Sequence, residues 1–222
     1  KRLPASTQIR LTDEPGGSPL RGDIVHGFAY SDCTVDDSRL VILNAIDAAA
    51  HGAAIFTRLQ LESAQAHTAG LLALCRDLNT GRTRRIHARA LINAAGAWVN
   101  AVRKCIGLDG QNQLRLIQGS HIVVPRLCEG DQAYMLQNPD RRVVFVIPYE
   151  RNYTLIGTTD VPFDGDPRQV RITTEEIDYL CESVNRYFKR QITSEDILWS
   201  YAGVRTLQED KSSDAAAVTR DY

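Results

Sequence analysis

Val143 to Asp160 places two β-rich runs, Val-Val-Phe-Val-Ile-Pro-Tyr and Tyr-Thr-Leu-Ile-Gly-Thr-Thr-Asp, on either side of the polar break Glu150-Arg151-Asn152. Two such runs across so short a break predict a β-hairpin. The second run closes on Gly157, Thr158, Thr159 and Asp160. Small, hydroxyl-bearing and acidic side chains contribute little packing at a strand end, so this end is expected to form one wall of a site.

The surroundings of the hairpin are also strand-like. Leu114 to Ile117, Gly119 to Pro125 and Met135 to Gln137 precede it without an intervening helix, which argues for an antiparallel sheet. Thr173-Thr174-Glu175-Glu176 reads as a capping box. Ile177, Leu180, Cys181, Val184, Tyr187 and Phe188 follow at helical spacing, so one helix has an apolar face to lay on that sheet. Ile197 to Val204 returns as a strand that ends at Arg205, and Gln208 to Ala217 is polar and small, as in a loop.

The first half mixes the two periodicities. Residues 1–22 mix Pro4, Pro15, Gly16, Gly17, Pro19 and Gly22 with single apolar residues, a loop-rich lead-in. From Asp36 or Asp37 as cap, Leu40, Val41, Leu43, Ile46, Ala49 and Ala50 predict a helix that closes at Gly52. Ala53 to Leu61 reads as a strand, and Leu71 to Arg76 and Arg84 to Ala90 flank the turn Asn79-Thr80-Gly81 as a hairpin. Leu91 to Ala95 reads as a short strand running into Gly96, followed by the helical pattern Trp98, Val99, Val102 and Ile106. The fold class is α+β, with an α/β portion over residues 1–110, an antiparallel-sheet domain with helices on one face over 111–205, and a return segment over 206–222.

Composition narrows the function. The chain has 222 residues, 43% of them hydrophobic, enough for a sizeable core. Its net charge of −1 supplies no overall field toward nucleic acid or anionic lipid, so any anion must be held by a local cluster. Cys33, Cys75, Cys105, Cys128 and Cys181 are odd in number and form no Cys-x-x-Cys pair, which points to reduced thiols in a cytoplasmic setting. No two histidines have metal-ligand spacing, and no metal is expected.

Three places have the residue types for chemistry. Arg205 ends an apolar strand and Arg220 lies beyond a loop able to fold back. Guanidinium forks suit bidentate binding of phosphate or carboxylate, although spacing alone favours two salt-bridged arginines. His121, inside Gly119-Ser120-His121-Ile122-Val123-Val124-Pro125, alternates onto the face opposite Ser120 and Ile122. There it is either a general base for an alcohol proton or a structural histidine. The run Ala94-Ala95-Gly96-Ala97-Trp98 lets backbone N–H groups approach a flat cofactor, and also suits close packing. No Gly-x-Gly-x-x-Gly occurs, so the dinucleotide fingerprint is missing.

Taken together, Gly27-Phe28-x-Tyr30-Ser31-Asp32-Cys33-x-Val35-Asp36-Asp37, the segment Gly119 to Pro125, Gly157-Thr158-Thr159-Asp160, Gly203-Val204-Arg205 and Thr219-Arg220-Asp221-Tyr222 resemble the aerobic, FAD-dependent glycerol-3-phosphate dehydrogenases. The resemblance runs from about Leu3 to the last residue, in the family's order. It implies oxidation of sn-glycerol 3-phosphate to dihydroxyacetone phosphate with FAD as cofactor and a membrane quinone as acceptor. The chain would be the centre of a longer cytoplasmic protein, peripheral to the inner membrane, without the fingerprint segment before it or the helical domain after it.

By that resemblance Arg205, Arg220 and Thr158 are substrate-binding and His121 is the strand histidine nearest the flavin, while its catalytic role as base rests on the chemistry of imidazole. Leu61, Ala94, Ala95, Gly96 and Trp98 lie against the FAD. Apolar surface left uncovered is expected to favour a homodimer of the isolated chain. The rival readings are a related FAD-dependent oxidase of an amino or hydroxy acid and a non-catalytic binding module.

Overall fold

The computed structural model describes residues 3–68, 70–108 and 114–208. In chain order the strands and helices are β1 (Thr7–Arg10), β2 (His26–Ala29), α1 (Asp37–Ala50), β3 (Leu59–His67), β4 (Gly70–Asp77), β5 (Thr83–Ala88), α2 (Val99–Cys105), β6 (Leu114–Pro125), β7 (Tyr134–Gln137), β8 (Val143–Tyr149), β9 (Tyr153–Gly157), β10 (Val161–Pro162), α3 (Thr174–Tyr187) and β11 (Trp199–Gln208). The mixture of helices with antiparallel sheets is the α+β class expected from the sequence. The chain separates into two compact units, residues 1–4 with 31–111 and residues 5–30 with 112–222.

In the first unit, α1 is capped by the Asp36 carboxylate, which accepts from the Arg39 N–H at 3.0 Å. Leu40, Val41, Ile42, Leu43 and Ile46 are all exposed, so this helix is apolar around its circumference with none of these side chains buried. β3, β4 and β5 form an antiparallel three-stranded sheet, and α2 packs beside β3. The Asn79-Thr80-Gly81 turn joins β4 to β5 as the sequence predicts, with the Asp77 carboxylate accepting from the N–H groups of Asn79 and Thr80.

Two strand expectations fail here. The strand expected over Ala53 to Leu61 starts only at Leu59, because the register with β4 runs from Leu59↔Asp77 to His67↔Gly70 and gives residues 53–58 no ladder. Leu91 to Ala95 is irregular. β5 ends at Ala88, and among the described residues no strand pairs with this run, so its apolar character has no ladder to act in.

The second unit is built on the twelve residues of β6. β11 lies along one edge, from Trp199↔Val123 to Gln208↔Leu114. β9 and β10 share the other edge, β9 against residues 121–125 and β10 against 117–118. β8 and then β7 extend the sheet beyond β9. The β8–β9 hairpin closes through Glu150 and Arg151, whose φ values of 44° and 64° supply the left-handed backbone a tight hairpin needs.

One face of this sheet carries Ile122, Val124, Leu136, Val144, Val146 and Ile156. It meets Leu180, Cys181 and Val184 of α3, and Phe188 just beyond the helix, in a continuous core. α3 begins with the expected capping box: Thr173 accepts from the Glu176 N–H, and Glu176 accepts from the Thr173 N–H. The lead-in read as loop from the sequence is partly ordered, since β1 pairs with β2 and Leu20 bridges to Phe188. Residues 5–30 thus pack within the second unit, where the sequence reading had assigned them to the 1–110 portion.

Candidate active site

The face of the β6 sheet opposite α3 is where the chemistry-bearing residues of the second unit gather. Because side chains alternate, Gly119 and His121 of β6 share that face with their partners Gly203 and Tyr201 on β11, and with Arg205 opposite Ile117. The imidazole of His121 lies flat against the Tyr201 ring, with centroids 4.9 Å apart and planes 7° from parallel. On its other side is Gly157, its register partner on β9. A Cβ at Gly157 would fall 2.1 Å from His121 Cδ2, so the ring occupies the space a side chain would need. Gly119 is constrained in the same way: a Cβ there would lie 2.6 Å from Thr158 Oγ1 and 3.1 Å from Arg205 Nη2. The two glycines let the imidazole, the threonine and the guanidinium lie close on the sheet.

Burial first, and the Arg205 guanidinium second, hold the His121 pKa below the usual imidazole value. The ring is therefore neutral near pH 7 and able to accept a proton. Its Nδ1 is buried without a hydrogen-bond partner among the described residues.

Arg205 Nη2 donates to the Thr159 carbonyl at 3.3 Å and to Asp160 Oδ1 at 2.5 Å. Its Nε and Nη1 make no hydrogen bond among the described residues, and the side chain is 41% exposed. One edge of the fork is thus fixed by the protein while the other remains able to bind an anion.

Below this face lies a buried polar cluster. The Glu176 carboxylate, 5% exposed, accepts from Gln118 Nε2 at 2.6 Å, Ser120 Oγ at 2.8 Å, Thr159 Oγ1 at 2.6 Å and the Thr173 N–H at 2.9 Å. Four donors, and a place in the first turn of α3, compensate for removing the carboxylate from water.

In the first unit, Ala94, Ala95, Gly96 and Trp98 lie in the turn that precedes α2, with Gly96–Trp98 as a single 3-10 turn. Asn93 fastens it, donating to the Val99 carbonyl at 3.0 Å and accepting from the Ala95 N–H at 3.3 Å. Leu61 is the third residue of β3, next to a bulge between Leu61 and Ser63, whereas the sequence reading put it at a strand end. Arg220 lies outside the described residues.

The sequence reading named His121, Thr158 and Arg205, and the structure brings them together on one sheet face. It gave no site role to Tyr201, Gly119 or Glu176, and none to Thr159 beyond a place in the wall of a site. Gly119 and Gly157, glycines inside otherwise β-branched runs, were the available signal for a close approach.

The sheet face of the second unit thus combines a neutral histidine with an arginine bound through Nη2 alone among the described residues, and residues 3–219 match the family of FAD-dependent oxidoreductases. The chain belongs to that family. It is similar to the glycerol-3-phosphate dehydrogenase of Pseudomonas aeruginosa, 50% identical over 223 aligned positions that take in 100% of this chain and 43% of the relative. It is 44% identical to the D-erythritol 1-phosphate dehydrogenase of Brucella abortus, across 100% of this chain and 44% of that protein. Among solved structures, the glycerol-3-phosphate dehydrogenase of Bacillus halodurans in complex with FAD superposes with a TM-score of 0.77 at 31% identity, covering 86% of this chain and 40% of that one. The chain therefore spans less than half the length of these relatives.

FAD is the cofactor of the family, and the residues present fit it in part. The turn before α2 presents exposed Ala94, Gly96 and Trp98, small enough at the first two positions for backbone to meet a flat ring system. In the second unit, His121 Nδ1 is buried without a partner among the described residues, and the Tyr201 and Trp199 rings follow one another beside it.

Proposed function

We propose that the full-length protein oxidises sn-glycerol 3-phosphate to dihydroxyacetone phosphate, with a quinone as final electron acceptor at the face of the inner membrane. The observation that carries this reading is Arg205, whose Nη2 is held by Thr159 and Asp160 while the rest of its fork is unengaged among the described residues, on the same sheet face as a neutral, half-buried His121. The 50% identity to the Pseudomonas aeruginosa enzyme supports the choice of substrate.

FAD, when bound, supplies the hydride acceptor, and Leu61, Ala94, Ala95, Gly96 and Trp98 are the residues of this chain that would lie against it. Arg205 holds the phosphate, joined by Arg220, and Thr158 lines the same pocket. Binding the phosphate remotely from the reacting carbon fixes the position of C2 without taking part in the chemistry there. His121 takes the proton of the C2 hydroxyl. With Nδ1 buried, Nε2 is the nitrogen that accepts it. Stacking on Tyr201 and contact with Gly157 keep the ring from turning away.

The Brucella abortus relative, named for a longer phosphorylated polyol, makes a second substrate worth comparing. The test is reduction of a dye acceptor by the FAD-loaded full-length protein, with glycerol 3-phosphate, D-erythritol 1-phosphate, glycerol and a set of amino and 2-hydroxy acids offered separately. Turnover of glycerol 3-phosphate and none of glycerol is expected. Preference for D-erythritol 1-phosphate would reassign the polyol and keep the phosphate site, and turnover of a carboxylate substrate lacking phosphate would overturn the reading.

A further inference from the structure

Between the end of β9 at Gly157 and the start of β10 at Val161, the edge of β6 is paired in an unusual way. The Ser120 N–H does not meet a backbone carbonyl there; it donates to the side-chain hydroxyl of Thr159 at 2.9 Å. The Thr159 N–H reaches the Ser120 carbonyl at 3.4 Å. A hydroxyl has thus replaced a carbonyl in the ladder, and the Thr159 carbonyl is released to accept from Arg205 Nη2 and from Thr158 Oγ1 at 3.1 Å.

A hydroxyl that accepts from Ser120 must still place its own proton, and Glu176 Oε1 receives it at 2.6 Å. Thr159 is wholly buried and has no water to take that role. The same carboxylate is tied to the first turn of α3 through the Thr173 N–H and to β6 through Gln118 and Ser120. The connection therefore runs from α3 through Glu176 and the Thr159 hydroxyl to the Thr159 carbonyl and Asp160. Those two acceptors set the direction of the Arg205 fork.

We propose that Glu176 and Thr159 are positioning residues for the phosphate site: the buried carboxylate fixes the Thr159 hydroxyl, and the turn so held aims Arg205. This inference rests on the reading of Arg205 as the phosphate ligand. Neither Glu176 nor Thr159 touches substrate in it, so their influence passes through Arg205 alone. A residue that only stabilises the fold would lower the melting temperature without regard to whether Arg205 is present.

The test uses the FAD-loaded full-length protein and four variants, Thr159→Val, Thr159→Ser, Arg205→Ala and the double Thr159→Val/Arg205→Ala. The readouts are the Kd of glycerol 3-phosphate by calorimetry, KM and kcat in dye reduction, and the melting temperature. Thr159→Val is expected to weaken glycerol 3-phosphate about five- to thirtyfold with a smaller change in kcat, and Thr159→Ser to recover most of that loss. In the Arg205→Ala background the valine substitution should change Kd by less than about twofold, because sites acting through one group are not additive.

Should Thr159→Val fail to fold, Glu176→Gln carries the same comparison: the hydroxyls of Ser120 and Thr159 can turn to accept from its amide. It should weaken binding with Arg205 present and not with Arg205→Ala. Equal losses in the two backgrounds, or an unchanged Kd in a folded Thr159→Val or Glu176→Gln, overturn the inference. If the wild type does not bind glycerol 3-phosphate at all, it is the substrate reading that fails; if Arg205→Ala weakens binding and neither Thr159→Val nor Glu176→Gln does, the positioning role alone fails.

Discussion

Gly157→Ala adds one methyl group to the tightest place on the sheet. The new Cβ would lie 2.1 Å from His121 Cδ2, 2.6 Å from Cγ and 2.7 Å from Nε2, all well inside contact distance. The ring cannot retreat freely, because the Tyr201 ring is stacked behind it with a centroid separation of 4.9 Å. Relief requires either a shift of β9 or an imidazole driven off its rotamer, and overpacking of this kind costs about 1–3 kcal/mol. The substitution should lower the melting temperature of the full-length protein and also reduce turnover by displacing the proposed base. Removing the ring restores the space, so Gly157→Ala in a His121→Ala background should be much less destabilising, with a coupling of about 1–2 kcal/mol read from the double-mutant cycle of melting curves. A Gly157→Ala protein that melts with the wild type, or that destabilises equally with and without the His121 ring, would refute the packing argument.

The depressed pKa of His121 predicts a turnover limb and a stability limb of the same sign. kcat/KM should rise as pH increases through a value below the ordinary imidazole figure of about 6.5 and be flat above it, and His121→Asn should abolish that limb. Because the folded pKa lies below the unfolded one, His121 contributes its full share of stability above about pH 6.5 and loses it as the pH falls through the folded value, which acid titration of melting temperatures can follow against His121→Asn. Brief treatment with a thiol alkylating reagent followed by mass spectrometry should label the exposed Cys33 and Cys105 and spare Cys181, which is buried and whose thiol is pushed up to about 11 by burial and by Asp178 and Asp196.

Local signals were legible where the chain satisfies its own groups nearby. The Asp36 cap, the Thr173–Glu176 capping box and the β8–β9 and β4–β5 turns each bind residues within a few positions of one another, and each lies where the sequence puts it. Pairing between distant segments was not legible. β1 and β2 are four residues each, separated by a stretch rich in proline and glycine, and only their mutual register makes them strands. Leu91 to Ala95 shows the converse: apolar composition gives no strand without a partner ladder.

The site divides along the same line. Alternation along β6 predicted that His121 would face away from Ser120 and Ile122, and it does. That Tyr201 stacks on His121, or that Glu176 reaches Thr159, depends on which residues the register and the α3 packing bring opposite one another. Residues far apart in sequence carry no mark of that meeting, apart from the glycines that leave room for it.

The central claim is that Arg205 holds the substrate phosphate, and the most direct measurement compares Arg205→Ala with wild type in glycerol-3-phosphate-dependent dye reduction by the FAD-loaded full-length protein. Loss of a charged hydrogen-bond partner costs roughly 1.5–3 kcal/mol, so the apparent affinity for glycerol 3-phosphate should fall about ten- to a hundredfold. Kinetics unchanged from wild type would contradict the claim and reduce Arg205 to the ion pair it makes with Asp160.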